Sequence, residues 1–270
     1  MITSDRIANM RKFIIGIVLA FLFISPAVAQ DKEVEVLTRS WPEPYSVSHN
    51  IVFIVDASST INRYPLIKKK FDMGWSFLSQ QFAGDALYFR VYVFHDQYSE
   101  RRTKWVEAGG PAGEKQFRRA KRWIETNTGI RSWGLKAIRT AIRDKNPLDR
   151  NPATARRLTI VIFTDGGLSE AAGYVNPDAE KETLKSTLKD HTYGFTGSYS
   201  VVDKMIAQEQ KIRELKDLEP ATIVTIGFEN KEADAEFGMG VKQRDPECQA
   251  WLLKLGKRYR GGNFLIRMKQ

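Results

Sequence analysis

The side chains that could do chemistry in this sequence follow a strongly apolar segment. The stretch IVFIVDASSTI, residues 51–61, passes from apolar residues directly to Asp56, Ser58 and Thr60, which are spaced two apart. Asp and Ser could simply cap the next helix, a position where both are favoured. Alternatively, one carboxylate and two hydroxyls could bind one hard cation through oxygen. A cap needs only one of these oxygens, so the repeated spacing raises the question of a common ligand.

A second carboxylate follows another strongly apolar segment. The run Leu158–Phe163 leads into Thr164, Asp165 and Gly166. Taken alone, the Asp-Gly pair could be a turn. If the two apolar segments are neighbouring parallel strands, however, their carboxyl ends meet at one crevice, where Asp56 and Asp165 both face a ligand. Two carboxylates with neutral hydroxyls form an oxygen-only set, which suits Mg²⁺ or Mn²⁺ and does not suit Zn²⁺.

The elements that must position these residues alternate between strand-like and helix-like patterns. Strand-like runs cover residues 51–55, 87–94, 103–106, 158–163, 222–228 and 264–266. Apolar residues at helical spacing mark the segments 67–82, 117–124, 135–142, 202–215 and 248–255. Strands that alternate with helices need crossover connections. The pattern therefore predicts a Rossmann-like α/β fold with a doubly wound, mostly parallel central sheet flanked by helices.

The two polar loops carry a family resemblance. Asp56-Ala57-Ser58-Ser59-Thr60 after one buried strand, with Thr164-Asp165-Gly166 after another, resembles the von Willebrand factor type A (vWA) domain over roughly residues 49–267. In that family, a D-x-S-x-S motif, a distal Thr and a distal Asp form the metal-ion-dependent adhesion site (MIDAS). Here Thr60 replaces the last Ser, which keeps the hydroxyl and adds a methyl group. The resemblance implies a Mg²⁺ or Mn²⁺ cofactor and a protein partner that donates an Asp or Glu to the metal.

The distal hydroxyl of this site has two candidates. Ser132 is the better placed relative to the helical pattern that follows it, and Thr128 belongs to a Thr-Gly pair that the family also shows. Either residue would supply a hydroxyl oxygen. We therefore expect the metal ligands Asp56, Ser58, Thr60, Asp165 and Ser132, with Thr128 as the alternative to Ser132.

A long irregular segment follows the second carboxylate. We expect residues 166–200 to form an extended loop insertion at the rim of the site, because long loops in compact domains tend to be functional or disordered. Its aromatic residues Tyr193, Phe195 and Tyr199 are candidates for contact with the partner. The formal net charge of +10 would help to steer an acidic partner, and would also allow contact with anionic envelope components.

The beginning of the chain has the pattern of a secretory signal peptide, with basic residues before the apolar run 13–24 and a cleavage site after Ala29. We expect a signal peptide at 1–29, an N-terminal lead-in at 30–48 and a vWA-like domain at 49–270. No segment of the mature chain is long and apolar enough to be transmembrane. These features predict a periplasmic or secreted bacterial protein, in which nucleic acid is not an expected partner.

Two other functions compete with this interpretation. The pattern Asp56-x-Ser58-x-Thr60 also resembles the nucleophile loop of haloacid-dehalogenase-like phosphohydrolases, in which Asp56 would attack phosphorus. That family has a second Asp where this chain has Ser58, and a serine hydroxyl cannot perform its proton transfer near neutral pH. A structural envelope protein with a vestigial metal site is the other alternative. We expect a binding module without catalytic residues, and not an enzyme.

Overall fold

The computed structural model describes residues 34–43, 47–57, 60–63, 65–82, 87–94, 100–109, 111–129, 134–164, 199–228 and 244–268. Eight strands occur in this part of the chain: β1 (Val34–Ser40), β2 (Asn50–Asp56), β3 (Tyr88–Phe94), β4 (Glu100–Arg102), β5 (Val106–Glu107), β6 (Thr159–Thr164), β7 (Thr222–Phe228) and β8 (Arg260–Met268). The helices described are α1 (Thr60–Arg63), α2 (Pro65–Phe82), α3 (Pro111–Glu125), α4 (Leu135–Ile142), α5 (Pro152–Ala155), α6 (Ser200–Leu215) and α7 (Arg244–Arg258).

The strands form one sheet in the order β1-β8-β7-β6-β2-β3-β4, and the short β5 also pairs with β3. The five strands from β8 to β3 are parallel, whereas β1, β4 and β5 are antiparallel additions at the edges. The chain runs from β2 outward to β3 and later returns to β6, on the other side of β2. Strand order therefore reverses between β2 and β6. This confirms the predicted α/β class and the doubly wound, mostly parallel sheet.

Helices cover both faces of the sheet, which explains why β2, β6 and β7 are buried along their whole length. On one face, α1, α2 and α3 pack around Phe53, whose ring lies 5.6 Å from Trp75 and 5.8 Å from Phe117 between centroids. On the other face, α4, α6 and α7 form a second core. The single cysteine, Cys248, is fully buried in that core.

A glycine lets α2 cross close to the sheet. A Cβ atom on Gly74 would lie 2.4 Å from Ile266 Cδ1 and 2.6 Å from the Phe163 ring. Because real Cβ atoms do not approach other heavy atoms so closely, a larger residue would push the helix away from β6 and β8. Glycine at position 74 therefore allows the close contact between α2 and the sheet.

The edges of the sheet contain strands that the sequence pattern does not indicate. The segment 30–48, expected as a lead-in, contributes β1, which pairs antiparallel with β8 from Val34 opposite Met268 onward. Of the predicted strand at 103–106, only Val106 lies in a strand, β5, and residues 103–105 connect β4 to β5. Edge strands are buried on one side only, so their sequences lack the continuous apolar run by which central strands are found.

A buried polar cluster holds β3 to the turn after α4. Asp144 accepts hydrogen bonds from Arg90 Nη1, at 3.2 and 2.9 Å, and from the Tyr92 hydroxyl, at 2.7 Å. The side chains of Arg90 and Asp144 are only 14% and 9% exposed. Arg102 Nη1 also donates to the Tyr92 hydroxyl, at 3.2 Å. Burial, followed by the neighbouring Asp144 carboxylate, raises the pKa of Tyr92 to about 12.

We expect this pKa to make the fold lose stability in alkali. Between the ordinary tyrosine pKa of 10.0 and about 12, the unfolded chain releases the Tyr92 proton while the folded chain keeps it. The free energy of unfolding therefore falls across that window, by up to about 3 kcal/mol for this residue. Urea denaturation at several pH values should show a smaller fall for Tyr92→Phe than for the unaltered protein. Equal falls in the two proteins would contradict the assignment.

Candidate functional site

The carboxylate of Asp56 lies at the carboxyl end of β2, in the middle of the sheet, and the residue is 1% exposed. The register of β2 and β6 pairs Val55 with Phe163, so Asp56 is level with Thr164 on the neighbouring strand. Thr164 Oγ1 donates a hydrogen bond to Asp56 Oδ2 at 3.0 Å. The two apolar strands are therefore neighbours, and their carboxyl ends meet where strand order reverses. This is the place at which doubly wound sheets bind ligands.

The segment that follows α3 reaches the same end of β2. The backbone N–H of Gly129 donates to the Ala57 carbonyl at 2.9 Å. Next to it, Asn62 Nδ2 on α1 donates to the hydroxyl of Thr128 at 3.2 Å. Ala57 is also tied to the end of β3, because its N–H donates to the Phe94 carbonyl at 3.1 Å. These contacts bring Thr128 close to the loop that connects β2 to α1.

The remaining predicted ligands can be placed only in part. Thr60 is the first residue of α1, but its side chain is outside the described part of the structure. Outside the described residues altogether lie Ser58, Ser132, Asp165, Tyr193 and Phe195. Their assignment as metal ligands or partner contacts stays a prediction, and so does the choice between Ser132 and Thr128.

Tyr199, the third aromatic candidate for partner contact, lies immediately before α6. Its half-buried ring stacks on Trp251 of α7, with centroids 4.5 Å apart and planes 15° apart. Trp251 Nε1 in turn donates to Asp203 Oδ1 at 2.8 Å. Packing between α6 and α7 thus accounts for this ring, and its contact with a partner remains a prediction.

The donor atoms that meet at this edge of the sheet are oxygens. Those in the described part of the chain belong to the Asp56 carboxylate, which accepts a hydrogen bond from Thr164, and to the Thr128 hydroxyl in the segment that reaches this edge. Such a set fits a hard cation like Mg²⁺, which prefers oxygen ligands and retains some water. Across the described residues, no group of three or more His, Cys, Asp or Glu side chains could hold a metal ion. The predicted set contains only two carboxylates, so a cluster of that kind is not part of the prediction.

The sequence pattern did not reveal the role of Thr164. The sequence singles it out only as the neighbour of Asp165, yet its hydroxyl donates a hydrogen bond to the Asp56 carboxylate. If Asp56 binds a metal ion, a hydrogen-bond partner of this type would orient the ligating carboxylate. The available signal was its position, because the last residue of a parallel strand adjoins the last residue of the next strand.

Comparison with known proteins gives limited information. No protein-family model matches the sequence, and no curated protein matches it. Among solved structures, the chain is similar to a von Willebrand factor type A protein from Catenulispora acidiphila, with 14% sequence identity and a TM-score of 0.37. The match covers 84% of this chain and 43% of that one, so this chain spans less than half the length of that protein. In the described part of the chain, no helix has the length and apolar character needed to cross a membrane.

Proposed function

We propose that this chain is an exported vWA-like binding module that uses a divalent cation, Mg²⁺ or Mn²⁺, to bind an acidic group of a protein partner. The observation that carries the proposal is the buried Asp56 carboxylate beside Thr164, where strand order reverses. Asp165 follows Thr164 directly in the sequence. The motif resemblance around these residues supports a MIDAS-type site at the same edge.

In this proposal, the cation is held by two carboxylates and several neutral hydroxyls. The residues are Asp56, Ser58, Thr60, Asp165 and either Ser132 or Thr128. Because part of the ligand set is uncharged, the bound cation would keep a net attraction for an incoming carboxylate. The partner's Asp or Glu would then take a coordination position that water otherwise fills.

Thr164 has a positioning role in this proposal. Its hydroxyl donates to Oδ2 of Asp56, so rotation of that carboxylate out of the site would break a buried hydrogen bond. A fixed carboxylate binds a cation with less loss of side-chain entropy than a mobile one. Thr164 is therefore expected to strengthen cation binding without coordinating the cation itself.

The proposed place of action is the periplasm or the exterior of a bacterial cell. The basic and apolar pattern of residues 1–29 supports this part, because it has the order of a secretory signal peptide. N-terminal sequencing of the protein recovered from the envelope would test it. A mature chain beginning at Gln30 is the expected result, and recovery of the uncleaved chain in the cytoplasm would contradict export.

A pull-down from the native envelope fraction tests the binding function. The mature chain is immobilised, and the same fraction is applied with Mg²⁺, with EDTA, and with EDTA followed by excess Mg²⁺. We expect a partner that is retained with Mg²⁺, lost with EDTA and recovered when Mg²⁺ returns, because its carboxylate would bind through the cation. Retention of the same proteins under all three conditions would refute a metal-dependent module.

The alternative hypothesis, that the protein is a phosphohydrolase, predicts a different experimental result. If Asp56 were the nucleophile of a phosphohydrolase, the protein would hydrolyse a generic aryl phosphate, and Asp56→Asn would abolish that activity. The binding proposal predicts no such hydrolysis at any Mg²⁺ concentration. The two functions are thus separated by one assay on the same protein.

A further inference from the structure

Helix α3 has a row of basic side chains on the side that faces away from the sheet. These residues recur at i, i+3, i+4 and i+7, which places them on one helical face. All of them are exposed, whereas the opposite side of α3 packs into the core through Phe117, Ala120 and Ile124. The members of this row, called the α3 basic row below, are Lys115, Arg118, Arg119 and Arg122.

The charges of the α3 basic row are poorly balanced within the fold. Arg118 has an acidic neighbour, Glu114, at 3.4 Å. Lys115, Arg119 and Arg122, in contrast, have no acid within ion-pair distance among the described residues. Like charges at i and i+4 destabilise a helix, and the row contains two such pairs. Packing of the domain does not explain why these four positions are all basic.

The same helix pairs its charges where it faces α2. Lys121 Nζ lies 2.7 Å from Asp72 Oδ1, and Lys68 Nζ lies 2.7 Å from Glu125 Oε1. The hydrogen bond to Glu125 raises the pKa of Lys68, although burial opposes this. Burial alone would raise the pKa of Glu125, but the hydrogen bond from Lys68 and the charge of Lys121 together lower it. The charged residues between α2 and α3 are thus paired across the two helices, whereas most of the outward-facing basic residues of α3 are not.

The α3 basic row ends beside the candidate cation site. The chain leaves α3 at Glu125 and reaches Thr128, which contacts Asn62 of α1, and Gly129, which contacts Ala57 directly after β2. A further exposed cation lies at this end, because Arg101 Nη1 donates to Asn127 Oδ1 at 2.8 Å. The basic side chains therefore extend along the side of the molecule from the edge of the sheet at which Asp56 lies.

We infer that the α3 basic row is a docking surface for an acidic polypeptide segment of the partner whose carboxylate binds the cation. The inference rests on the proposed function for the place at which that partner is held. From Lys115 to Arg122 the helix rises about 10 Å, a length that three or four extended residues also span. A segment with an acid at alternate positions would match the row, and an additional acid beyond it would reach the cation.

The surroundings of the row favour a narrow segment over a lipid surface. Exposed acids stand at the start of the helix, with Glu107 just before it and Glu114 in its first turn. A flat anionic membrane across this face would lie against those acids as well as the basic residues, which weakens its attraction. A single extended acidic segment, in contrast, would contact the basic residues of the row without lying across Glu107 and Glu114.

Anisotropy of a fluorescent ten-residue oligoglutamate, measured at low salt, tests the inference. The test variant is Lys115→Glu, Arg119→Glu and Arg122→Glu. The control variant has the same change in charge on and directly after α6, at the opposite face of the sheet: Lys204→Glu, Lys211→Glu and Lys216→Glu. In EDTA we expect the test variant to bind the peptide about tenfold more weakly than the control variant, because three charge contacts are lost. Circular dichroism establishes that both variants are folded.

Each outcome separates the row from the cation site. Equal weakening in the two variants would overturn the inference, because net charge alone would then explain binding. Tighter, row-dependent binding to phosphatidylglycerol vesicles than to the peptide would overturn it in favour of a membrane. If the two variants differ in EDTA and added Mg²⁺ strengthens peptide binding in the unaltered protein, both proposals are supported. If Mg²⁺ has no effect but the two variants still differ, the cation site is refuted and the α3 basic row is supported.

Discussion

Asp144→Ala is expected to lower the free energy of unfolding by about 3–5 kcal/mol, the range measured when one partner of a buried ion pair is removed. The substitution would leave the Arg90 guanidinium, whose side chain is 14% exposed, without its carboxylate. It would also deprive the Tyr92 hydroxyl of its acceptor at 2.7 Å. Among the described residues, the Arg90 charge would keep its contacts with the Trp105 and Tyr92 rings, at 5.5 and 5.7 Å, and with the Thr103 carbonyl. Urea denaturation at neutral pH measures the change.

An exposed ion pair provides the matched control. Asp217 pairs with Arg156, but the side chains are 84% and 48% exposed. Asp217→Asn should therefore change the free energy of unfolding by less than about 1 kcal/mol, as surface ion pairs usually do. Asn also suits the positive φ of 59° at this turn position. Similar losses in the two variants would show that burial of the Asp144 cluster does not determine its contribution.

The central strands could be predicted from sequence because their environment leaves a simple pattern. β2, β6 and β7 are covered by helices on both faces, so every position is buried and the sequence reads as a continuous apolar run. The edge strand β1 has one buried residue, Val34, followed by partly exposed ones, and its pairing with β8 joins segments more than 200 residues apart. Nothing in the local sequence specifies that pairing.

For the candidate site, the sequence likewise predicts which strand ends adjoin, but it does not predict the contacts between their side chains. Two apolar strands that end in polar residues indicated neighbouring strand ends, and the register of β2 with β6 confirms that they adjoin. The hydrogen bond from Thr164 to Asp56, and the contact of Gly129 with Ala57, depend on tertiary structure. So does the polar cluster in which Asp144 lies more than 50 residues along the chain from both Arg90 and Tyr92. Residue types and spacing cannot specify contacts of this kind.

Asp56→Ala is expected to remove measurable binding of Mg²⁺ and Mn²⁺ in calorimetric titrations. Loss of an outer hydrogen-bond partner typically weakens a metal site by about 10–100-fold, and loss of a directly coordinating carboxylate should exceed that. The substitution also leaves the Thr164 hydroxyl without the acceptor at 3.0 Å, at a cost of about 1–3 kcal/mol of stability. The fold should therefore persist, and unfolding curves without metal would establish this. Binding that survives the substitution would place the cation elsewhere.

Thr164→Val separates the role of the cation ligand from that of the residue that orients it. Valine keeps the shape of threonine but cannot donate to Asp56 Oδ2, so the carboxylate remains and its orientation is less restricted. We expect Mg²⁺ to bind this variant about 10–100-fold more weakly than the unaltered protein. Its affinity would thus lie between those of the unaltered protein and Asp56→Ala. Asp217→Asn, which removes an exposed carboxylate in the turn after α6, should leave the affinity unchanged. If Thr164→Val binds as tightly as the unaltered protein, the hydrogen bond supports the strand ends alone and has no part in holding the cation.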